Sequence, residues 1–190
     1  MAKRVYFGFD YQDVSDFRAN VVRKSNVIQG IQKAGFYDAS IWEEAEKQGD
    51  TALKRLINKE LENTTVTAIL IGTRTHERRW VRYEIIKSLE RGNALLGIHI
   101  NSIKNKEGMT KPEGPNPLDY LGIQLSDDGL KVKPTEWKDG KWMWYRDMDP
   151  FFKPRGANLE PKRNYHLSSW FPAYNWVTDD GYNNFGKWIE

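Results

Sequence analysis

A tryptophan and a glutamate four residues apart could form a chemical site in this chain. Trp80 and Glu84 lie in a stretch, residues 77–90, whose apolar side chains recur at helical spacing. Side chains four apart project from one face of a helix, so an indole ring would lie beside a carboxylate. Taken alone, the pair has a simpler interpretation, in which Trp80 packs in the core and Glu84 is a solvated helix residue.

The chemistry that this pair suits is substitution at the anomeric carbon of a sugar. An anion stabilises the positive charge that develops on that carbon, and a carboxylate can also bind ribose hydroxyls. Glu84 could serve both needs, and Trp80 could offer a flat surface to a ring. A leaving group that departs as a neutral base, as nicotinamide does from NAD, makes a second acid unnecessary.

The elements that must position the pair are a strand and the helix that follows it. Residues 65–73 form a buried-looking strand, a basic turn covers 74–79, and Gly92 ends the helix. A strand that leads directly into a helix places the helix's first turn at the carboxyl edge of a parallel sheet, where open α/β folds bind ligands.

The rest of the first 101 residues continues the alternation of strands and helices. This pattern predicts an α/β fold with a parallel sheet flanked by helices. We expect strands at 4–9, 35–38 and 94–100, a helix with Val14, Phe17, Val21 and Val22 on one side that ends near Lys24, a polar loop at 39–50, and a helix at 51–61.

Beyond Asn101 the pattern changes. We expect loops at 102–117 and 150–161, and a hairpin at 137–142, because Asp139-Gly140 suits a type I′ turn. Aromatic residues at nearly helical spacing predict a C-terminal helical segment over 174–189, packed on the domain. The prediction is one domain, residues 1–190, with a βα core over 1–101 and an aromatic-rich extension.

Composition and motifs exclude several classes of function. The 190 residues contain no cysteine, and the three histidines lie far apart in the sequence, so thiol chemistry is excluded and a zinc site is not expected. Neither a glycine-rich dinucleotide loop nor a Walker motif is present. A net charge of +3 with scattered basic residues does not favour nucleic-acid binding. No apolar run approaches 18 residues, which favours a cytoplasmic protein.

Several motifs resemble the Toll/interleukin receptor (TIR) domain. Residues 5–9 (VYFGF), Asp13 and the following Phe17-Arg18 look like the start of such a domain, and Trp80-x-x-x-Glu84 resembles the W-x-x-x-E motif of TIR domains that cleave NAD. Further motifs resemble the ThsB family, the TIR-like proteins of the bacterial Thoeris anti-phage system. These are residues 79–84 (RWVRYE), the 38–42 loop, 114–117 (GPNP) and the aromatic tail with 179–182 (DDGY).

The resemblance implies a flavodoxin-like sheet of about five parallel strands and an enzyme that senses phage infection. The enzyme would cleave NAD and cyclise the ADP-ribose, and the cyclic isomer would activate the effector ThsA. Glu84 would be catalytic, and Trp80 the stacking residue that favours cyclisation. Residues 38–50 would be the BB loop, through which subunits of active TIR assemblies associate. The other candidate substrate-binding residues, placed by loop position, are Phe9, Asp10, Asp38, Trp42 and Thr73.

One departure from the family and two alternative functions stay open. Many TIR domains have a serine where this chain has Gly8, so a hydrogen bond in the pocket could differ. Tyr6, Arg74 and His99 could shape the pocket or simply pack. The first alternative function is a non-catalytic TIR adaptor that acts by protein association, with Glu84 on the surface. The second is a nucleoside deoxyribosyltransferase, which uses a similar fold and a glutamate.

Overall fold

A computed structural model describes residues 4–11, 13, 17–24, 32–34, 39–153 and 156–190, with the backbone alone for 32–34 and 39. The strands of this part of the chain are β1 (Arg4–Phe9), β2 (Gln32–Ala34), β3 (Val66–Ile71), β4 (Ala94–His99), β5 (Leu121–Leu125), β6 (Lys131–Lys138), β7 (Lys141–Trp144), β8 (Phe151–Phe152), β9 (Asn164–His166) and β10 (Ala173–Asn175). Its α-helices are α1 (Arg18–Lys24), α2 (Ala39–Gln48), α3 (Asp50–Leu61), α4 (Arg79–Arg91) and α5 (Gly181–Trp188).

The central sheet consists of five parallel strands in the order β10-β4-β3-β1-β2. Every residue of β3 is buried, which explains its continuous apolar sequence, since a central parallel strand is covered on both faces. The predicted α/β fold with about five parallel strands is confirmed. The loops that follow β1 and β3 meet at one edge of the sheet, because these parallel neighbours end together.

The helix that carries the tryptophan and the glutamate is also confirmed. It begins at Arg79, one residue after a short 3-10 turn, Thr75–Glu77, and ends at Arg91, with Gly92 as its C-terminal cap. Gly92 adopts a left-handed conformation with φ of 79°, and its N–H donates to the carbonyl of Leu89. A left-handed residue is the common way to end a helix, and glycine adopts that conformation without strain.

The predicted loop at 39–50 is wrong, because α2 occupies most of it. Only a few apolar residues interrupt its polar sequence, so the helical period is weak, although Gln48 donates a hydrogen bond to Glu44 one turn earlier at 2.9 Å. The second strand lies at Gln32–Ala34. Its predicted position, 35–38, lies outside the described residues.

The first helix differs from its prediction in the face that it buries. It begins at Arg18, after Phe17, which has a positive φ of 79° and is exposed. Val21 is exposed as well, whereas Ala19 and Val22 are buried. The Arg18 guanidinium is also buried, where it donates hydrogen bonds to the carbonyls of Ile103 and Met109 at 2.9 and 2.8 Å. Val14 lies outside the described part of the chain.

The C-terminal segment contributes a strand that the sequence did not predict. Residues 173–175 form β10, the fifth strand of the central sheet, so the expected helix over 174–189 is wrong at its start. The helix α5 begins only at Gly181. The predicted hairpin is confirmed as the turn between β6 and β7, where Asp139 and Gly140 both have positive φ, as a type I′ turn requires.

A second, antiparallel sheet has the order β7-β6-β5-β9. Its apolar residues join α4 and β3 in one buried cluster, which includes Ile85, Ile123 and Val132. β8 pairs with β6 inside the predicted loop 150–161. The prediction of a single domain agrees with this shared cluster and stays a prediction. Within the described residues no helix is long and apolar enough to cross a membrane.

Candidate active site

Glu84 lies in α4, one helical turn after Trp80, and it is buried, with a relative exposure of 5%. Its carboxylate faces β1, where the phenol of Tyr6 donates a hydrogen bond of 2.7 Å to Oε1. Tyr6 is fully buried, so this bond is shielded from water. The interpretation of Glu84 as a solvated helix residue is therefore wrong.

Burial makes the carboxyl group of Glu84 a weaker acid than an exposed glutamate, because it raises the pKa. The Oε2 atom is buried and has no hydrogen-bond partner among the described residues. Loss of solvation raises the pKa of Glu84 to about 8, and the hydrogen bond from Tyr6 acts in the opposite direction. A carboxyl group that titrates near neutral pH in a cleft is a typical feature of a functional site, since structural carboxylates are usually paired or solvated.

Glu84 opens into a cavity of about 550 Å³. The cavity lies between the end of β1, the helix α2 and the start of α4, and its volume is in the range of small-molecule sites. Five of the predicted site residues line it together: Phe9, Asp10, Trp42, Trp80 and Glu84. The remaining lining residues are Tyr11, Glu43, Glu46, Glu77, Arg78, Arg79 and Val81.

Aromatic rings form much of the cavity wall. Tyr11 packs between Phe9 and Trp42, with ring centroids 6.4 and 6.2 Å away. Trp80 contacts Tyr83 edge to face at 6.0 Å, and the guanidinium of Arg79 lies 4.7 Å from the ring centroid of Trp80. Trp80 is thus held from two directions while it lines the cavity. Such walls suit a ligand with planar rings.

Both arginines that line the cavity, Arg78 and Arg79, form ion pairs with aspartates. Arg78 donates to Asp10 at 2.7 Å. Arg79 donates to Asp147 through two nitrogens, at 2.8 and 2.6 Å, and to Asp50 at 2.7 Å. Glu43, Glu46 and Glu77 also line the cavity, so acidic side chains outnumber basic ones. This balance favours a cationic ring near Glu84.

Three further sequence candidates lie elsewhere. The hydroxyl of Thr73 donates to the carbonyl of Pro112 at 3.1 Å, and Thr73 does not line the cavity. Arg74 is exposed and paired with Glu77, and His99 lies at the end of β4 and does not line it either. Asp38 lies outside the described residues. A substrate-binding role of Thr73 or Asp38 stays a prediction.

Sequence reasoning did not single out the acidic residues of α2 or the two arginines as site residues. Trp42 and Glu46 are four residues apart, so the same spacing that identified Trp80 and Glu84 could have placed both on one helix face. The signal was lost because the segment was interpreted as a loop. Within the described residues no group of three or more histidine, aspartate and glutamate side chains could hold a metal ion.

The burial of Glu84 predicts a cost in stability that depends on pH. Its pKa is higher in the folded chain than in the unfolded chain, so the folded state retains a proton that the unfolded state loses between about pH 4.5 and 8. The free energy of unfolding should therefore fall as pH rises through this window. Glu84→Gln should remove that part of the fall and be more stable than the wild type at pH 8, by a few kcal/mol.

Urea unfolding at pH 5 and pH 8 would test this difference, with Glu90→Gln as the control. Glu90 lies on the same helix but is exposed. Equal pH dependence in the wild type and the Glu84→Gln variant would contradict the buried titration.

Comparison with known proteins agrees with this architecture. The family model described as "Thoeris protein ThsB, TIR-like domain" matches residues 6–105, the part that contains most of β1 and all of α4, with Glu84. A protein of Bacillus cereus (strain MSX-D12), named "Putative cyclic ADP-D-ribose synthase ThsB1", is 54% identical over 194 residues, and the match covers 100% of both chains. The similarity thus includes the second sheet and the C-terminal strand. The chain belongs to the ThsB family of TIR-like proteins of the Thoeris system.

Proposed function

We propose that this protein cleaves the nicotinamide–ribose bond of NAD and closes the remaining ADP-ribose into a cyclic isomer. The observation that carries the proposal is the buried carboxylate of Glu84, which opens into a cavity with aromatic walls. The name of the Bacillus cereus relative, a cyclic ADP-D-ribose synthase, supports the same chemistry.

The reaction requires little from the protein besides position and charge. The bond between the anomeric carbon and the nicotinamide nitrogen breaks, and its electron pair leaves with nicotinamide as a neutral base. The ionised carboxylate of Glu84 stabilises the positive charge that this leaves on the sugar. A hydroxyl group of the same molecule then attacks the carbon, and its proton passes to solvent water. When water attacks instead, the product is linear ADP-ribose.

Substrate binding itself would ionise Glu84. In the free protein, burial keeps the carboxyl group largely protonated at neutral pH. The nicotinamide ring of NAD is a cation, and an opposite charge within a few ångströms favours the ionised form of an acid. The acidic lining of the cavity, which includes Glu43 and Glu46, attracts the same ring. The carboxylate thus becomes charged when the substrate that needs it is present.

The choice between cyclic and linear product depends on how the intermediate is held. Trp80 lines the cavity one helical turn from Glu84, with Arg79 and Tyr83 fixing its ring. We assign to Trp80 the stacking that folds the adenosine part back towards the reacting sugar. Phe9 and Trp42 line the same cavity, and we assign to their rings the exclusion of water from the intermediate.

In the cell, the reaction would be a signal. We propose that phage infection triggers it and that the cyclic product activates the effector ThsA, as the membership of the Thoeris family suggests. The helix α2, within the predicted BB loop, forms one wall of the cavity. Self-association through this segment would therefore change the shape of the site directly.

Mass spectrometry of nucleotides tests the proposal in cells that express the protein without the effector and are infected with phage. The wild type should produce a cyclic ADP-ribose isomer. Glu84→Gln should lower its amount by at least about 100-fold, because the neutral amide cannot balance the developing charge. Glu90→Gln, an exposed change on the same helix, should leave the product unchanged.

A cyclic product at the wild-type level with Glu84→Gln would contradict the assignment of Glu84. If no new nucleotide appeared with any of several phages, although a partner protein still bound to the chain, an adaptor role would replace the enzymatic one.

Trp80→Ala should change the product ratio more than the rate of NAD loss. Stacking on an aromatic ring stabilises a bound base by roughly 1–3 kcal/mol, so its loss should lower the ratio of cyclic to linear product about tenfold. Chromatography of both products from the same lysate gives this ratio. Trp144→Ala, at an exposed tryptophan of the second sheet, is the control. An unchanged ratio in Trp80→Ala would remove Trp80 from the cyclisation step.

A further inference from the structure

Two residues of β1 face the carboxylate of Glu84. Tyr6 and Gly8 are two positions apart, so they lie on the same face of the strand. Tyr6 binds one carboxylate oxygen, Oε1, through its phenol. Gly8 lies beside the other: a Cβ atom at this position would be 2.5 Å from Oε2 of Glu84 and 2.8 Å from Cδ1 of Ile69.

The backbone gives no reason for a glycine at position 8. Gly8 is not among the residues with positive φ, and it pairs in ordinary register with Ile69 of β3. Any residue could adopt this conformation. The neighbouring positions Phe7 and Phe9 both carry large side chains. The feature that distinguishes glycine here is space, because the two atoms nearest to an added Cβ would be Oε2 of Glu84 and Cδ1 of Ile69.

We infer that β1 positions the glutamate, with Tyr6 fixing one oxygen of the carboxylate and Gly8 leaving the space that the other occupies. This inference rests on the proposed function, since the position of Glu84 affects the reaction rate only if Glu84 acts on the substrate. Tyr6 and Gly8 are then positioning residues and need not touch NAD.

Few contacts hold the carboxylate of Glu84 in place. Oε2 has no hydrogen-bond partner among the described residues, and Oε1 has its hydrogen bond from Tyr6. A methyl group at position 8 cannot share the space of Oε2, because contacts under 3 Å to a Cβ atom essentially do not occur. The carboxylate would therefore rotate or shift away from β1. A displacement of about 1 Å can cost about 100-fold in rate.

A matched pair of alanine variants separates this effect from the general cost of crowding the sheet. Gly97 of β4 also lies in a central strand, and a Cβ atom there would be 2.7 Å from Cδ1 of Ile71 and 3.2 Å from Cβ of Ala173. Gly8→Ala and Gly97→Ala thus each crowd one isoleucine methyl group to a similar degree. Gly8→Ala alone also crowds Glu84.

Activity would be measured on NAD in lysates of phage-infected cells at equal concentrations of folded protein. Gly8→Ala should lower kcat about 100-fold with KM changed less than threefold, while Gly97→Ala should retain at least a third of the wild-type kcat. Glu84→Asp withdraws the carboxylate by one methylene, so it should cost less in the Gly8→Ala background than in the wild type. A folded Gly8→Ala variant with wild-type kcat would overturn the inference.

A second measurement does not depend on catalysis. The carboxyl carbon of Glu84 can be followed by 13C NMR through a pH titration of the purified protein. Tyr6→Phe, which keeps the ring and removes the donor, should raise the pKa of Glu84, since the phenol stabilises the ionised form. The charged neighbours Asp10, Arg78 and Arg79, which line the same cavity, are unchanged in this variant.

The two measurements distinguish the two claims. An unchanged Glu84 resonance and titration in both Tyr6→Phe and Gly8→Ala would overturn the role of β1, whatever the enzyme does. If instead both variants shifted the resonance while Glu84→Gln remained fully active, the positioning would be upheld and the proposed reaction refuted. If Gly8→Ala does not fold, Tyr6→Phe alone tests the role of β1, and it should lower kcat about tenfold.

Discussion

The contact between one carboxylate and strand β1 of the parallel sheet is the constraint on which the site depends. A glutamate that is 5% exposed is costly, because a charged group loses its hydration on burial. The protein keeps this group beside a phenol and in the space above a glycine of β1, where burial raises its pKa to about 8. Burial of this carboxyl group lowers the stability of the fold, and a cationic ligand beside it would favour its ionised form.

The rest of the molecule holds α4 in place against that strand. One face of the helix carries Trp80 and Glu84 into the cavity. Another packs through Val81, Ile85 and Leu89 into the cluster shared with the second sheet. Arg82 reinforces this side: it donates to Glu136 of β6 at 2.6 Å and to the carbonyl of His76 at 2.8 Å. The antiparallel sheet thus contributes to the site indirectly, as the support of the helix.

The C-terminal segment packs against β1. β10 extends the central sheet beyond β4, and the rings of Tyr174 and Trp188 stack at 4.3 Å. Its neighbour Trp176 packs with Phe185 of α5. The aromatic tail belongs to a second buried cluster with Val5 and Phe7 of β1, and its residues do not line the cavity around Glu84.

Sequence reasoning recovered the site where the local pattern was strong. The run of residues 65–73 and the helical period that follows it are unambiguous, so the position of Trp80 and Glu84 at the sheet edge followed directly. The helix α2 was missed because polar residues dominate it, and the three-residue strand β10 is too short for any period. The second sheet was predicted only as its one hairpin, whose Asp139-Gly140 turn has a local signature.

The contacts of the site lay beyond what a sequence can show. The bond between Tyr6 and Glu84 joins residues 78 positions apart, and the space at Gly8 depends on the register of β1 against its neighbours. Neither has a local signal. The resemblance to TIR domains named the glutamate, whereas its burial and its raised pKa emerged only from the packing of α4 on β1.

A crystal structure of the Glu84→Gln variant with NAD bound would test the central claim most directly, because this variant should bind the substrate without converting it. The account predicts that the nicotinamide ribose lies in the cavity formed by Phe9, Trp42 and Trp80. Its anomeric carbon should be within about 3.5 Å of the side chain at position 84. NAD bound elsewhere, for instance in the aromatic cleft of the second sheet beside Trp137 and Trp142, would contradict the account.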